Sequence, residues 1–270
     1  MLFIILFFAV LGSIIGSFLN VVVLRKGVAS LDGRSHCPSC GKTIAAYDLV
    51  PVFSWLILRG RCRNCGSRIS AQYPLVEAAT AVLFALIGAA AFPAFLLSLH
   101  GALTLLVELA VASLLVIITV YDLRHTIIPD EWSYAFAVLA LILVLPQSLT
   151  LSTLLSGPIA AVPLFFLWLV SQGRWMGLGD PKLALGMGWI LGFPLGVVAV
   201  FVSFIIGTFV LIPMLLYERV VTHTRGGGHD NAGLTMKSEV PFGPFLIASC
   251  LIFWVLGLYG VEVPLYLIGL

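Results

Sequence analysis

Two aspartates that lie far apart in the sequence are the candidates for acid–base chemistry. Asp122 ends one long apolar stretch, and Asp180 follows Gly177-Leu178-Gly179 at the start of another. Ionisable residues at the ends of such stretches are costly and are candidates for function. If two carboxyl groups converge on one water, one stays protonated while the other deprotonates the water. This pair predicts an aspartic protease with Asp122 and Asp180 as its catalytic residues.

Both aspartates also have a structural interpretation. Asp122 could form an ion pair with Arg124 or Lys182. Asp180 could cap a helix that begins at Pro181, because Asp followed by Pro is a common helix start. The residues alone leave the catalytic and the structural interpretation open.

Four of the five cysteines form two pairs with the spacing of metal ligands. The pairs are Cys37-Pro-Ser-Cys40 and Cys62-Arg-Asn-Cys65, each followed by glycine and separated by 21 residues. Four thiolates form a closed, tetrahedral, structural zinc site with no open position for catalysis. The alternatives are two disulfides, which a reducing compartment disfavours, and a site in which the adjacent His36 is a ligand. We therefore predict structural zinc bound by Cys37, Cys40, Cys62 and Cys65.

The composition indicates that these residues belong to a membrane protein. Of the 270 residues, 61% are hydrophobic and 10% are charged, against about 45–50% and 25% in an average soluble chain. This excludes a water-soluble enzyme, a disordered chain and a nucleic-acid binder. Because every backbone polar group must be paired in lipid, we predict an all-α polytopic membrane protein.

The apolar stretches predict about eight transmembrane helices. The first stretch lacks charge and is followed by Arg25 and Lys26, which is typical of a spanning helix rather than a signal peptide. The stretch 181–217 is too long for one crossing and contains Gly192-Phe193-Pro194, so we divide it there into a short and a longer helix. The predicted helices are 2–24, 74–97, 101–121, 132–148, 152–171, 181–192, 195–217 and 243–268.

The basic residues predict the orientation of these helices. With eight helices and the N-terminus outside, all 14 Lys and Arg residues fall on one face, which the positive-inside rule makes cytoplasmic. We therefore predict a multi-pass protein with both termini outside and both aspartates at the cytoplasmic face. Its parts are a first helix (1–24), a cytoplasmic zinc loop (25–73) and a polytopic domain (74–270).

One further acid lies deeper in the same predicted helix as Asp122. Glu108 precedes it by 14 residues, almost four helical turns. We expect Glu108 to make a structural hydrogen bond, pairing with His100 or lining a polar interior.

Two other classes of function stay open on the residues alone. One is an ion transporter with Glu108, Asp122 and Asp180 along its path, and the other is a scaffold whose zinc loop docks a cytoplasmic partner.

Several motifs together resemble those of a known family, both in their order along the chain and in their placement in the predicted topology. They are residues 16–22 with Arg25, the two cysteine pairs, residues 48–51 with Ser54 and Trp55, residues 73–77, Asp122 with residues 128–130, residues 177–183 and residues 241–244. In these motifs the chain resembles the bacterial type IV prepilin peptidases, also called prepilin leader peptidase/N-methyltransferases. The resemblance covers most of the chain. One departure is Arg124, where many bacterial members carry a second aspartate.

The resemblance implies an intramembrane aspartic endopeptidase of the Gly-x-Gly-Asp class with Asp122 and Asp180 as the catalytic pair. Its implied substrates are prepilins or pseudopilins, cleaved after a glycine that ends a short basic leader, at the cytoplasmic face of the bacterial inner membrane. A second implied activity methylates the new N-terminus with S-adenosylmethionine, and many members assign it to the region that matches 25–73. The sequence contains no fingerprint for that donor and indicates no oligomeric state.

Overall fold

Helices make up nearly all of the regular structure. The computed structural model describes residues 1–27, 33–146, 150–224 and 240–261, with no side chain described over 218–224. Within these ranges the sheet structure is limited to two isolated β-bridges in the cysteine loop. The helices are α1 (Leu2–Arg25), α2 (Phe53–Ile57), α3 (Gln72–Leu97), α4 (Leu99–His125), α5 (Asp130–Val144), α6 (Leu151–Ser171), α7 (Gly179–Leu191), α8 (Leu195–Thr224) and α9 (Gly243–Leu258), with a 3₁₀ turn at Ala46–Leu49.

All eight predicted long helices are present, as α1 and α3 to α9, and the all-α membrane fold is confirmed. Among the described residues, α1, α3, α4, α6 and the first 23 residues of α8 are long and apolar enough to cross a membrane. The helices α5, α7 and α9 have 15, 13 and 16 residues, fewer than the roughly 20 that a straight crossing needs. The short helix α2 lies in the cysteine loop and was not predicted.

Glycine and proline account for three of the helix ends, and two of these lie before the predicted residue, whereas α4 and α8 extend beyond the predicted residues 121 and 217, to His125 and Thr224. The predicted break after residue 192 is confirmed, because α7 ends before Gly192, whose φ is +71°. The last helix ends at Leu258 instead of residue 268, since Gly260 follows with a φ of +67°. Helix α5 ends at Val144 instead of residue 148, close to Pro146, which has no N–H to continue the helix. Residues 147–148 and 262–268 lie outside the described ranges.

The structure divides into two compact units, and in the first of them α1 packs closely on α3. Of the described residues, this unit contains 1–120 and 258–261, and the second contains 121–257. A Cβ placed on Gly12 would lie 2.5 Å from the Thr80 carbonyl oxygen, and one on Gly16 would lie 2.9 Å from the Glu77 Cα. The two backbones can approach this closely only because these positions lack side chains.

A buried asparagine fixes the end of this helix pair. Asn20 is 1% exposed. Its Nδ2 donates to the carbonyl oxygens of Gly16 and Tyr73, and its Oδ1 accepts from Gln72 Nε2, each at 3.3 Å. The side chain thereby ties the last turns of α1 to the start of α3, where the cysteine loop ends.

In the second unit, α7 is the central helix. It packs against α5, α6 and α8, and the side chains of Leu183, Ala184 and Met187 are fully buried. A Cβ on Gly186 would lie 2.5 Å from the Phe136 ring, and one on Gly188 would lie 2.4 Å from the Ser156 carbonyl oxygen. These contacts hold a 13-residue helix firmly in place although it is short.

We expect Gly12→Ala to lower the free energy of unfolding by about 1–3 kcal/mol, because the added methyl group meets the backbone of α3. Chemical unfolding of the protein in detergent micelles measures this. The matched control is Gly257→Ala in α9, where an added Cβ meets no atom within 4 Å. Since alanine is the better helix former, this control should be neutral or stabilising. Equal stability of the two variants would contradict close packing at Gly12.

Candidate active site

Asp122 and Asp180 are both buried within the second unit. Asp122 lies in the last turn of α4 and is 3% exposed, and Asp180 is the second residue of α7 and is 6% exposed. The structure therefore buries, in the same unit, two acids that lie 58 residues apart in the sequence.

One isoleucine and two glycines join the helix ends that carry these acids. The Gly243 N–H donates to Asp122 Oδ2 at 3.1 Å. A Cβ on Gly243 would lie 2.6 Å from that oxygen and 3.1 Å from Ile128 Cδ1, and a Cβ on Gly179 would lie 2.7 Å from Ile128 Cβ. The end of α4, the start of α7 and the start of α9 thus meet around Ile128. We call Asp122, Ile128, Asp180 and these two glycines the aspartate cluster.

Two of the structural interpretations of the aspartates are wrong. Lys182 pairs with Asp130, with 2.6 Å between Nζ and Oδ1, and lies over the Tyr134 ring rather than pairing with Asp122. The residue that precedes α7 is Leu178, and no side chain caps this helix end. Asp180 is therefore inside the first turn of α7 and does not cap it.

Two buried carboxyl groups that repel one another favour a state with a single proton between them. Such a pair can accept a proton at one oxygen while it donates a hydrogen bond from another. This is the chemistry needed to add water to a peptide bond.

The four predicted cysteines form one cluster in the first unit. Their Sγ atoms all lie within 4.8 Å of one another, and those of Cys37 and Cys65 are 3.8 Å apart. Tetrahedral zinc with Zn–S bonds near 2.3 Å requires a separation of about 3.8 Å between sulfurs. The thiols are free, which does not fit the disulfide alternative. His36 is not part of the cluster. The donor set therefore fits a tetrahedral metal ion.

The two cysteine pairs have the same backbone conformation. The N–H of Cys37 donates to the Lys42 carbonyl and that of Cys62 donates to the Ser67 carbonyl, at 3.0 and 2.8 Å. The glycines that follow the pairs, Gly41 and Gly66, have φ values of +68° and +70°, which other residues rarely adopt. Each glycine is therefore required to turn the chain back so that both sulfurs of a pair face one point.

Two polar residues next to the sulfurs were missed by the sequence analysis. The Ser67 Oγ lies 3.1 Å from the sulfur of Cys65 and 3.6 Å from that of Cys37, and Asn64 Nδ2 donates to Cys40 Sγ at 3.6 Å. The Ser67 hydroxyl, helped by backbone amides, lowers the pKa of Cys37 to about 6 and also lowers the pKa of Cys65. These contacts favour the thiolates that a metal ion needs. In the sequence, Asn64 and Ser67 could have been found only because they lie within or next to the second cysteine pair.

A buried acid anchors the cysteine loop to α3. Glu77 is 7% exposed, and its Oε2 accepts a hydrogen bond from the Val52 N–H at 2.7 Å. Val52 has a φ of +62°, an uncommon conformation for a β-branched residue. This contact offsets the strain and fixes the loop on the helix. Glu77 is thus a positioning residue that spacing along the sequence did not reveal.

Glu108 lines a cavity together with His100, as one of the two expected settings has it, but one of its oxygens lacks the expected hydrogen bond. It is 7% exposed, and its Oε2 has no hydrogen-bond partner among the described residues. The expected structural hydrogen bond is therefore not formed by that oxygen.

Two protein-family models match this chain, one in its N-terminal part and one in its middle part. The model of the bacterial peptidase A24 N-terminal domain matches residues 10–91, which contain the four clustered cysteines, and that of the type IV leader peptidase family matches residues 109–212, which contain both aspartates. No solved structure matches.

Curated relatives agree with these matches. A prepilin leader peptidase/N-methyltransferase from Pectobacterium carotovorum subsp. carotovorum is 36% identical over 215 residues, which cover 68% of this chain and 74% of that protein. A type 4 prepilin-like proteins leader peptide-processing enzyme from Escherichia coli is 36% identical over 205 residues, which cover 67% of this chain and 71% of that protein. A prepilin leader peptidase/N-methyltransferase from Bacillus subtilis is 30% identical over 92% of both chains. None of these matches supports the transporter alternative. The chain is a membrane-embedded peptidase that belongs to the type IV leader peptidase family.

Proposed function

We propose that this protein is an intramembrane aspartic endopeptidase in which Asp122 and Asp180 are the catalytic pair. The observation that carries the proposal is that Asp122 and Asp180 are both buried and that Gly179, next to Asp180, and Gly243, which binds Asp122, both pack on Ile128. The family match over residues 109–212 supports it independently, because that range includes both aspartates.

The proposed reaction uses a water molecule held between the two carboxyl groups. One carboxylate accepts a proton as the water oxygen attacks the scissile carbonyl carbon, and the protonated partner donates a hydrogen bond to the carbonyl oxygen. The C–N bond then breaks as the leaving amine receives a proton. Because the Gly243 N–H holds Oδ2 of Asp122, Oδ1 is the oxygen of that residue that is available to the water.

We propose prepilins or pseudopilins as the substrates, cleaved after a glycine that ends a basic leader, at the cytoplasmic face of the bacterial inner membrane. The names of the relatives support this substrate class. The placement of all Lys and Arg residues on one face supports an orientation with both termini outside and the cysteine loop in the cytoplasm.

We further propose that the metal ion is zinc and that its role is structural. Cys37, Cys40, Cys62 and Cys65 would hold it, and four thiolates leave no open coordination position. The loop has little core of its own, so the bound ion would stabilise its fold.

N-methylation with S-adenosylmethionine as donor is the second proposed activity, and the relatives' names are its support.

We expect Asp122→Asn and Asp180→Asn each to lower leader cleavage by roughly 10²–10⁴-fold, because an amide can neither accept nor supply the proton. The measurement is cleavage of a prepilin by membranes that contain each variant. The control is Glu108→Gln, which changes another buried acid of α4 outside the aspartate cluster and should retain cleavage. Full activity of either asparagine variant would remove that residue from the catalytic pair.

Gly243→Ala should lower cleavage on the order of 100-fold, because its methyl group would lie 2.6 Å from Asp122 Oδ2 and displace the carboxyl group. The matched control is Gly257→Ala, the same change in the same helix at a position with no atom within 4 Å. Thermal unfolding of both variants separates a displaced carboxyl group from a misfolded protein. A folded Gly243→Ala variant with normal activity would show that this contact does not position Asp122.

We expect the purified protein to contain one zinc ion per chain, and Cys62→Ser to lose it, since four thiolates are needed for a closed site. Elemental analysis measures the metal, and limited proteolysis of residues 33–71 measures the fold of the loop. The control is Cys250→Ala, because this buried cysteine of α9 is not part of the cluster. Zinc content that does not change in Cys62→Ser would contradict the four-cysteine site.

A further inference from the structure

A partly polar cavity lies where α3 ends and α4 begins. Its volume is about 270 Å³. All of its lining residues belong to the unit of residues 1–120 and 258–261, and none belongs to the aspartate cluster. The polar lining residues are Ser98, His100, Thr104 and Glu108.

Glu108 contributes a buried carboxyl group to the lining of this cavity. Its side chain lines the cavity, the residue is 7% exposed, and Oε2 lacks a hydrogen-bond partner among the described residues. A buried carboxyl oxygen is costly unless a donor or a cation satisfies it. The cavity therefore presents a buried acceptor that no described residue satisfies.

Two of the other polar groups, His100 and Thr104, lie on the same face of α4 as Glu108, between it and the exposed start of the helix. His100, Thr104 and Glu108 follow one another at intervals of four residues and so share that face. His100 is exposed, Thr104 is half-buried and Glu108 is buried, over about 12 Å of helix. The Thr104 hydroxyl donates to the His100 carbonyl oxygen at 3.0 Å, so toward the cavity it acts as an acceptor.

The opposite wall of the cavity is apolar. It is formed by Ala90, Ala91 and Ala94 of α3 together with Leu258. A water molecule occupies roughly 30 Å³ of liquid, so the cavity is much larger than a single bare ion. Its volume and lining suit a ligand with a cationic, donor-rich head and a short carbon stem.

We propose that this cavity binds a primary ammonium group, from the ethanolamine headgroup of a lipid or from a free amine. An ammonium group has three N–H donors and no acceptor, which matches the two acceptors of this cavity, the Glu108 carboxylate and the Thr104 hydroxyl oxygen. Its positive charge also compensates the buried carboxylate of Glu108. A trimethylammonium group has the same charge but no N–H, so it tests the hydrogen bonds separately from the charge.

The first experiment measures lipid retention by the full-length protein in detergent with native mass spectrometry. The probes are phosphatidylethanolamine and phosphatidylcholine with identical acyl chains. The expected result is retention of the ethanolamine lipid over the choline lipid by roughly tenfold, the effect of one charge-assisted hydrogen bond. Glu108→Gln should abolish this preference while the protein still cleaves a prepilin, which shows that the variant is folded.

The second experiment tests the free amine as the source. Ethanolamine and choline are each added to delipidated protein, and the thermal unfolding midpoint is measured. A shift with ethanolamine alone, absent in Glu108→Gln, supports a soluble amine as ligand even if neither lipid is preferred. If neither experiment distinguishes the ethanolamine from the choline probe, or if Glu108→Gln retains the preference, the proposal is overturned.

Two threonines of α4 provide a matched pair of variants. Thr104 and Thr119 both donate to the carbonyl oxygen four residues earlier, at 3.0 and 2.8 Å, but only Thr104 lines the cavity. Thr104→Val should reduce the ethanolamine preference severalfold and Thr119→Val should leave it unchanged. An equal effect of the two substitutions would contradict a ligand in this cavity.

Discussion

The aspartate cluster depends on the contact of two glycines with Ile128. Gly179 precedes Asp180 directly, and Gly243 donates its N–H to Asp122. A side chain at either glycine would collide with Ile128, and at Gly243 it would also collide with the carboxyl group. Because both helix starts pack directly on this one side chain, two acids from distant parts of the chain share one buried location.

This arrangement explains why the second unit contains a short helix. Helix α7 has 13 residues and carries Asp180 in its first turn, which requires a fixed position for its N-terminal end. Glycines 186 and 188 allow Phe136 of α5 and the backbone of α6 to approach it closely. The surrounding helices thus provide the stability that a helix of this length lacks by itself.

The cysteine loop achieves order in a different way. It has few buried apolar residues, and its shape comes from two turns with a glycine at positive φ, four converging sulfurs and hydrogen bonds from Ser67 and Asn64. The bond from Val52 to Glu77 then fixes the loop on α3. A loop built in this way gains its stability from the bound ion and from a few polar contacts.

Features that depend on local composition and spacing could be predicted from the residues. Apolar length predicted eight helices, Gly192-Phe193-Pro194 predicted the break before α8, and the two Cys-x-x-Cys pairs predicted the metal cluster. The residues also singled out Asp122 and Asp180, but they could not exclude a cap for Asp180 or a pair between Asp122 and Lys182.

The partners of the buried and charged groups became known from the folded structure. Lys182 pairs with Asp130, Gly243 binds Asp122 and Glu108 lines a cavity. Helix formation and ligand spacing are set by neighbours along the chain, whereas the partners of a buried polar group come from distant segments whose approach depends on packing.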